Sequence, residues 1–124
     1  KKSLEKYAAE LPAKPFDLII LGIGPDGHTA SLFPHSKALT SKFPVANTIT
    51  KDFTVKDRLT LTFPIILKSK NILILLKNKP EVLAELNFPT KSSENFPAHK
   101  LKAHTESSHR NKKITILSLT KPLE

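Results

Sequence analysis

The stretch Phe16-Asp17-Leu18-Ile19-Ile20-Leu21-Gly22-Ile23-Gly24-Pro25-Asp26-Gly27-His28-Thr29-Ala30-Ser31-Leu32-Phe33-Pro34 decides how this chain is read. It runs from a continuous apolar segment into a turn that holds all three glycines of the sequence, Gly22, Gly24 and Gly27. An apolar run of strand length ending at turn residues predicts a strand over 16–21, buried on both faces. Glycine is used where φ must be positive or where another group must come close to the backbone. Gathering every glycine beside Asp26 and His28 marks the carboxyl end of this strand as the chemical centre. After it, residues 29–33 leave room for about one helical turn before Pro34 stops it.

Outward from that turn, strand and helix patterns alternate. Leu4, Tyr7, Ala8 and Leu11 recur at helical spacing, which predicts a helix over 3–11 with Ser3 as N-cap. Pro12 and Pro15 end it. Residues 45–50 are β-branched and strand-like, and 59–63 alternate apolar with polar, a second strand signal. Pro64 opens a short helix to 67, residues 71–76 form another fully apolar strand, and Pro80 opens a helix to 86. The polar segment 91–110 has no period and reads as loop; 114–117 reads as a closing strand. This order predicts an α/β domain with a mostly parallel sheet. Ligands of such sheets bind beyond the carboxyl ends of the strands, where the glycine turn lies.

The 124 residues suit one domain, and 39% apolar content is globular, with no run long enough to span a membrane. No cysteine is present, which excludes disulfides, thiolate nucleophiles and Cys-based zinc sites. No signal peptide opens the chain, so a cytoplasmic location is expected. Methionine is also absent and the first residue is Lys1, so the chain is expected to be an excerpt or a processed product of something longer. The net charge of +9 favours anionic partners such as phosphorylated metabolites, against the plainer reading of a solvated lysine-rich surface. With one Tyr and no Trp, a base-stacking platform is disfavoured, and no nucleic-acid partner is expected.

Three readings of the glycine turn compete. Its literal G-x-G-x-x-G pattern is the dinucleotide fingerprint. That fingerprint needs a full helix after the third glycine, which Pro34 prevents, and Asp26 sets a carboxylate where a diphosphate would lie. The bland reading is a tight turn with Asp26 capping nearby amides. The catalytic reading is a His at the start of a short helix, held in one tautomer and acting as general base. Asp26 then orients the ring or the loop, or shapes the substrate site, and the glycines admit substrate to the backbone. His99, His104 and His109 are five apart, which does not set three metal ligands on one helix face. They read as loop histidines, and no metal or cofactor is expected.

Residues 16–34 resemble the signature of the 6-phosphogluconolactonases. The related glucosamine-6-phosphate deaminases share the Gly-x-Asp-Gly-His core but continue differently from Thr29-Ala30-Ser31-Leu32-Phe33-Pro34. A second segment, Asp57-Arg58-Leu59-Thr60-Leu61-Thr62-Phe63-Pro64, is similar to that family's Arg-x-Thr-Leu-Thr-x-Pro. The resemblance spans roughly residues 16–90. It implies a Rossmann-like fold of the sugar-phosphate isomerase/deaminase type, incomplete here, with residues 1–124 as the carboxyl-terminal part of a longer lactonase domain. It implies hydrolysis of 6-phospho-D-glucono-1,5-lactone to 6-phospho-D-gluconate in the oxidative pentose phosphate pathway, by a monomeric enzyme without metal. His28 is then the base and Asp26 its catalytic companion. Gly24, Gly27, Arg58 and Lys79 line the substrate.

The chain also departs from the family pattern. The family's amino-terminal phosphate loop does not occur. Its usual phosphate-binding Lys is replaced by Pro80, leaving Lys79 or Lys77 to substitute. The closing Trp-x-x-Asp is missing around 114–120. The excerpt alone is therefore expected to be poorly active or inactive. The alternatives are a sugar-phosphate isomerase or deaminase on the same scaffold, and a basic, catalytically inactive binding module.

Overall fold

The computed structural model describes residues 2–102 and 113–119. In chain order the elements are α1 (Lys2–Glu10), β1 (Leu18–Gly22), a 3-10 turn (Lys37–Thr40), β2 (Val45–Ile49), β3 (Asp57–Leu61), α2 (Phe63–Lys68), β4 (Asn71–Lys77), α3 (Pro80–Asn87) and β5 (Lys113–Leu119). β1, β4 and β5 form a parallel sheet in the order β1-β4-β5, with Leu18 opposite Asn71 and Ile72 opposite Ile114. β2 and β3 form a separate antiparallel hairpin in which Thr48 faces Arg58. The expected α/β class with a mostly parallel sheet is therefore what is found. None of the described helices is long and apolar enough to cross a membrane.

The proline signals act as their chemistry requires. Pro64 and Pro80 sit in the first turns of α2 and α3, where the missing N–H costs no helix hydrogen bond. Ser36 caps the 3-10 turn by accepting from the Ala38 N–H. Ser3, expected as an N-cap, instead lies inside α1, which begins at Lys2.

The core lies on one face of the parallel sheet. Ile19, Leu21, Ile72, Ile74 and Leu76 meet Ile66 of α2 and Val82 and Leu86 of α3 there, joined by Phe96 and Leu101. Burying each such side chain stabilises the fold by about 1.5–3 kcal/mol. The opposite face corrects the expectation of a strand buried on both sides. Leu18 and Ile20 alternate out of the core and are 51% and 57% exposed. Leu75, Leu117 and Leu119 are exposed with them. Helices α2 and α3 pack on that one face, while α1 lies against β2, so the apolar residues of the other face lack cover among the described residues.

Residues 29–33 form no helical turn. The Leu32 N–H bonds the Thr29 carbonyl at 2.9 Å, and Ala30 takes φ 51°. A positive φ reverses the chain, so this is a tight turn with a bridge between Thr29 and Leu32. Within the expected 91–110 loop, residues 99–102 are helical. His104 and His109 lie outside the described residues.

Candidate active site

The glycine turn leaves the carboxyl end of β1, and five of the seven carbonyls from Gly22 to His28 are engaged. The Gly27 N–H bonds the Gly24 carbonyl and the Gly24 N–H bonds the His28 carbonyl, both at 2.9 Å. Thr29 Oγ1 donates to the Gly22 carbonyl at 3.0 Å. Lys79 Nζ reaches from the start of α3 to the Ile23 carbonyl at 2.6 Å. The Ala98 N–H donates to the Gly27 carbonyl at 2.9 Å. Backbone groups satisfied in this way fix the loop rather than leaving it to solvent.

Within this frame Asp26 and His28 are paired. Asp26 Oδ1 accepts from the His28 backbone N–H at 3.0 Å and lies 2.5 Å from His28 Nδ1. A carboxylate oxygen only accepts, so Nδ1 is the donor in this contact, and in the neutral ring the lone pair falls to Nε2. The side chains are 17% exposed for His28 and 39% for Asp26, so the pair is sheltered yet reachable. His28 does not start a helix; the turn itself and the Asp26 bond fix its ring.

The two remaining glycines of the turn have separate structural reasons. A Cβ on Gly24 would overlap the ring atoms Cε1 and Nδ1 of His28 and sit 3.0 Å from Asp26 Oδ1. Gly24 is therefore the floor on which the imidazole lies. Gly27 has φ +80°, and a Cβ there would run into the Phe96 ring and approach Phe96 Cα to 2.8 Å.

Two phenylalanines wall the imidazole. The Phe33 centroid is 4.8 Å from that of His28, and the Phe53 centroid is 5.6 Å away, edge-on. Arg58 stands on the far side of this wall, its Cζ 4.7 Å from the Phe53 centroid and 5.9 Å from that of Phe33. Its Nε donates to the Val55 carbonyl at 3.0 Å, which folds the 50–56 connection over the site. Ser31 N–H donates to Thr60 Oγ1 at 3.0 Å and ties the turn after His28 to β3.

The structure thus brings together Asp26, His28, Gly24, Gly27 and Lys79, with Arg58 one ring away. Lys77 lies elsewhere, exposed at the end of β4. Sequence reasoning misses Phe53, a lone Phe in a charged connection that carries no pattern. It also misreads His99, which is buried, stacks on Phe96 at 4.7 Å and bonds Glu85 at 2.9 Å.

Two clefts among the described residues, of about 430 and 340 Å³, are not lined by Asp26 or His28; one is lined by His35, Lys37 and Lys100, the other by Asn47, Asp57 and Arg58. His28 is walled on the Phe33 and Phe53 side, while the exposed Asp26 side opens outward.

Comparison with known proteins gives the family and the fold. The profile described as "Glucosamine-6-phosphate isomerases/6-phosphogluconolactonase" matches residues 1–110. A 6-phosphogluconolactonase of Synechocystis is 39% identical over 93 residues, covering 73% of this chain and 37% of that protein. One of Haemophilus influenzae is 35% identical over 105 residues, covering 83% and 45% respectively. The crystal structure of a 6-phosphogluconolactonase from Thermotoga maritima superposes with a TM-score of 0.75 at 31% identity, covering 97% of this chain and 51% of that one. The Trypanosoma brucei 6-phosphogluconolactonase structure superposes with a TM-score of 0.70 at 26% identity, over 97% and 49%. The chain spans less than half the length of these curated relatives. It belongs to the family of glucosamine-6-phosphate isomerases and 6-phosphogluconolactonases.

Proposed function

We propose that the protein to which this chain belongs hydrolyses 6-phospho-D-glucono-1,5-lactone to 6-phospho-D-gluconate. The observation that carries this reading is the Asp26–His28 pair, in which Nδ1 faces the carboxylate and the neutral ring keeps its lone pair on Nε2. In the proposed reaction Nε2 takes a proton from water, and the resulting hydroxide oxygen bonds to the lactone carbonyl carbon. The tetrahedral oxyanion collapses, the bond from that carbon to the ring oxygen breaks, and the imidazolium returns the proton to that oxygen. General-base assistance of this kind supplies about 10²–10⁴-fold, a sufficient scale for an ester that opens slowly unaided. Asp26 keeps the tautomer and stabilises the imidazolium.

Arg58, against Phe33 and Phe53, and Lys79, at the Ile23 carbonyl, supply positive charge for the substrate phosphate or the developing oxyanion. Arg58 swings off the Phe53 face to do so, and Lys79 exchanges the Ile23 carbonyl for a phosphate oxygen. The rest of the domain, about half of each solved relative, covers the open sheet face and completes the substrate wall. The isolated chain is accordingly expected to be poorly active or inactive. A charged sugar phosphate does not cross membranes, so the enzyme works where its substrate is made, in the cytoplasm.

The family also contains isomerases that abstract a carbon-bound proton. Presenting the full-length protein with freshly generated lactone and, separately, with glucosamine 6-phosphate separates the two chemistries. The lactonase reading requires acid release from the first and no ammonia from the second. The opposite pattern overturns it.

A further inference from the structure

Behind the catalytic turn lies a second histidine–carboxylate pair. Glu85, on α3, gathers four donors. Its Oε1 accepts from the backbone N–H groups of Thr90 and Lys91, both at 2.8 Å, and Oε2 accepts from Thr90 Oγ1 at 2.7 Å. Its Oε1 also bonds His99 Nε2 at 2.9 Å. The side chains of His99 and Glu85 are only 10% and 11% exposed. One carboxylate therefore closes the loop 90–99 at both ends. These bonds hold the Glu85 pKa down to about 2, the Thr90 hydroxyl contributing most and His99 next, so the clamp stays anionic across the working range.

That loop carries the residues that touch the catalytic turn. Phe96 is 1% exposed, stacks on His99 at 4.7 Å and fills the space where a Gly27 side chain would be. Two residues on, the Ala98 N–H holds the Gly27 carbonyl at 2.9 Å. Gly27 lies between Asp26 and His28, so its φ of +80° sets how the carboxylate meets the imidazole. A contiguous chain of contacts thus runs from Glu85 through His99 and Phe96 to the peptide that joins the pair.

We infer that Glu85, His99 and Phe96 form a positioning unit that fixes the 24–28 turn and so sets the tautomer and aim of His28. The unit touches no reacting atom. It acts through Gly27, and it rests on the reading of His28 as general base. Loosening it costs turnover, because small misplacement of a reacting group slows the reaction steeply, while substrate binding through Arg58 and Lys79 is left in place.

The test uses the full-length protein with His99→Ala and His99→Gln, the latter restoring a donor to Glu85. The wild-type His28 ring, labelled with ¹⁵N, is expected to report protonation at Nδ1. His99→Ala is expected to convert this to a mixture of tautomers and to lower kcat about 10- to 100-fold with KM within about twofold. His99→Gln is expected to recover both signals. A folded His99→Ala protein with unchanged His28 spectrum and kcat overturns the inference, as does failure of Gln to recover either. Should His99→Ala not fold, Phe96→Leu keeps the apolar fill and removes the ring against Gly27. The same His28 response supports the unit, and an unaltered His28 refutes it. A wild-type protein without lactonase activity overturns the reading of the reaction, whereas the His28 spectrum still decides whether the unit positions the ring.

Discussion

Replacing Gly24 by alanine separates catalysis from stability. The new Cβ overlaps His28 Cε1 and Nδ1 and lies 3.0 Å from Asp26 Oδ1. Gly24 has no positive φ to lose, and the atoms in the way belong to side chains that can rotate. The fold therefore loses little: an off-rotamer imidazole costs about 0.5–1.5 kcal/mol. The Asp26–His28 bond cannot survive that rotation, and with it goes the general base, about 10²–10⁴-fold in rate. Gly27→Ala is the contrasting change. It forces a side chain to φ +80°, at roughly 1–2 kcal/mol, and drives a Cβ into Phe96, whose Cα at 2.8 Å is backbone and cannot step aside. Overpacking of that kind costs about 1–3 kcal/mol, so Gly27→Ala should lose about 2–5 kcal/mol in all. The assay is urea unfolding paired with lactone turnover, both on the full-length protein. A Gly24→Ala enzyme with turnover within about threefold of wild type would refute the placement of His28 on Gly24, since any real displacement of a base costs more. A Gly27→Ala protein as stable as wild type would refute the packing of Phe96 on the turn.

Two further outcomes follow from the same geometry. Arg58→Ala removes the cation facing Phe53 and Phe33, and should raise KM for the phosphorylated lactone by about 10-fold or more, as loss of a charge-assisted contact requires; unchanged KM in a steady-state assay would exclude Arg58 from substrate binding. The Glu85 pKa is lowered from 4.5 to about 2 by the Thr90 and His99 bonds, so the native state binds fewer protons than the unfolded chain in that window. Its contribution is complete above pH 4.5 and is lost as pH falls towards 2. Glu85→Gln should therefore flatten the fall of stability in urea titrations across that range, and an equally steep fall would show that the carboxylate is not clamped.

Some of this architecture can be read from residues alone and some cannot. The two apolar strands, the proline-opened helices and the glycine turn each carry a strong local signal, and each element forms near its expected place. Asp26 and His28 stand out in the sequence because all three glycines crowd around them at the end of an apolar strand. The turn at 29–32 is not legible, because Pro34 limits a helix without showing that Ala30 adopts φ 51°. Nor is the exposure of one face of β1, because an apolar strand looks the same whether or not its second face is covered. His99 carries no signal because 91–110 has no periodicity; its partner Glu85 lies on another element, and only the folded loop joins them. Phe53 acquires meaning only when the hairpin connection folds it against His28.

The most direct test of the central claim is His28→Asn in the full-length protein, which removes the basic nitrogen at nearly constant volume. Hydrolysis of freshly generated 6-phosphogluconolactone, followed by acid release, should fall about 10²–10⁴-fold while the circular dichroism spectrum and the urea midpoint hold. A folded His28→Asn protein that opens the lactone at the wild-type rate would contradict the account.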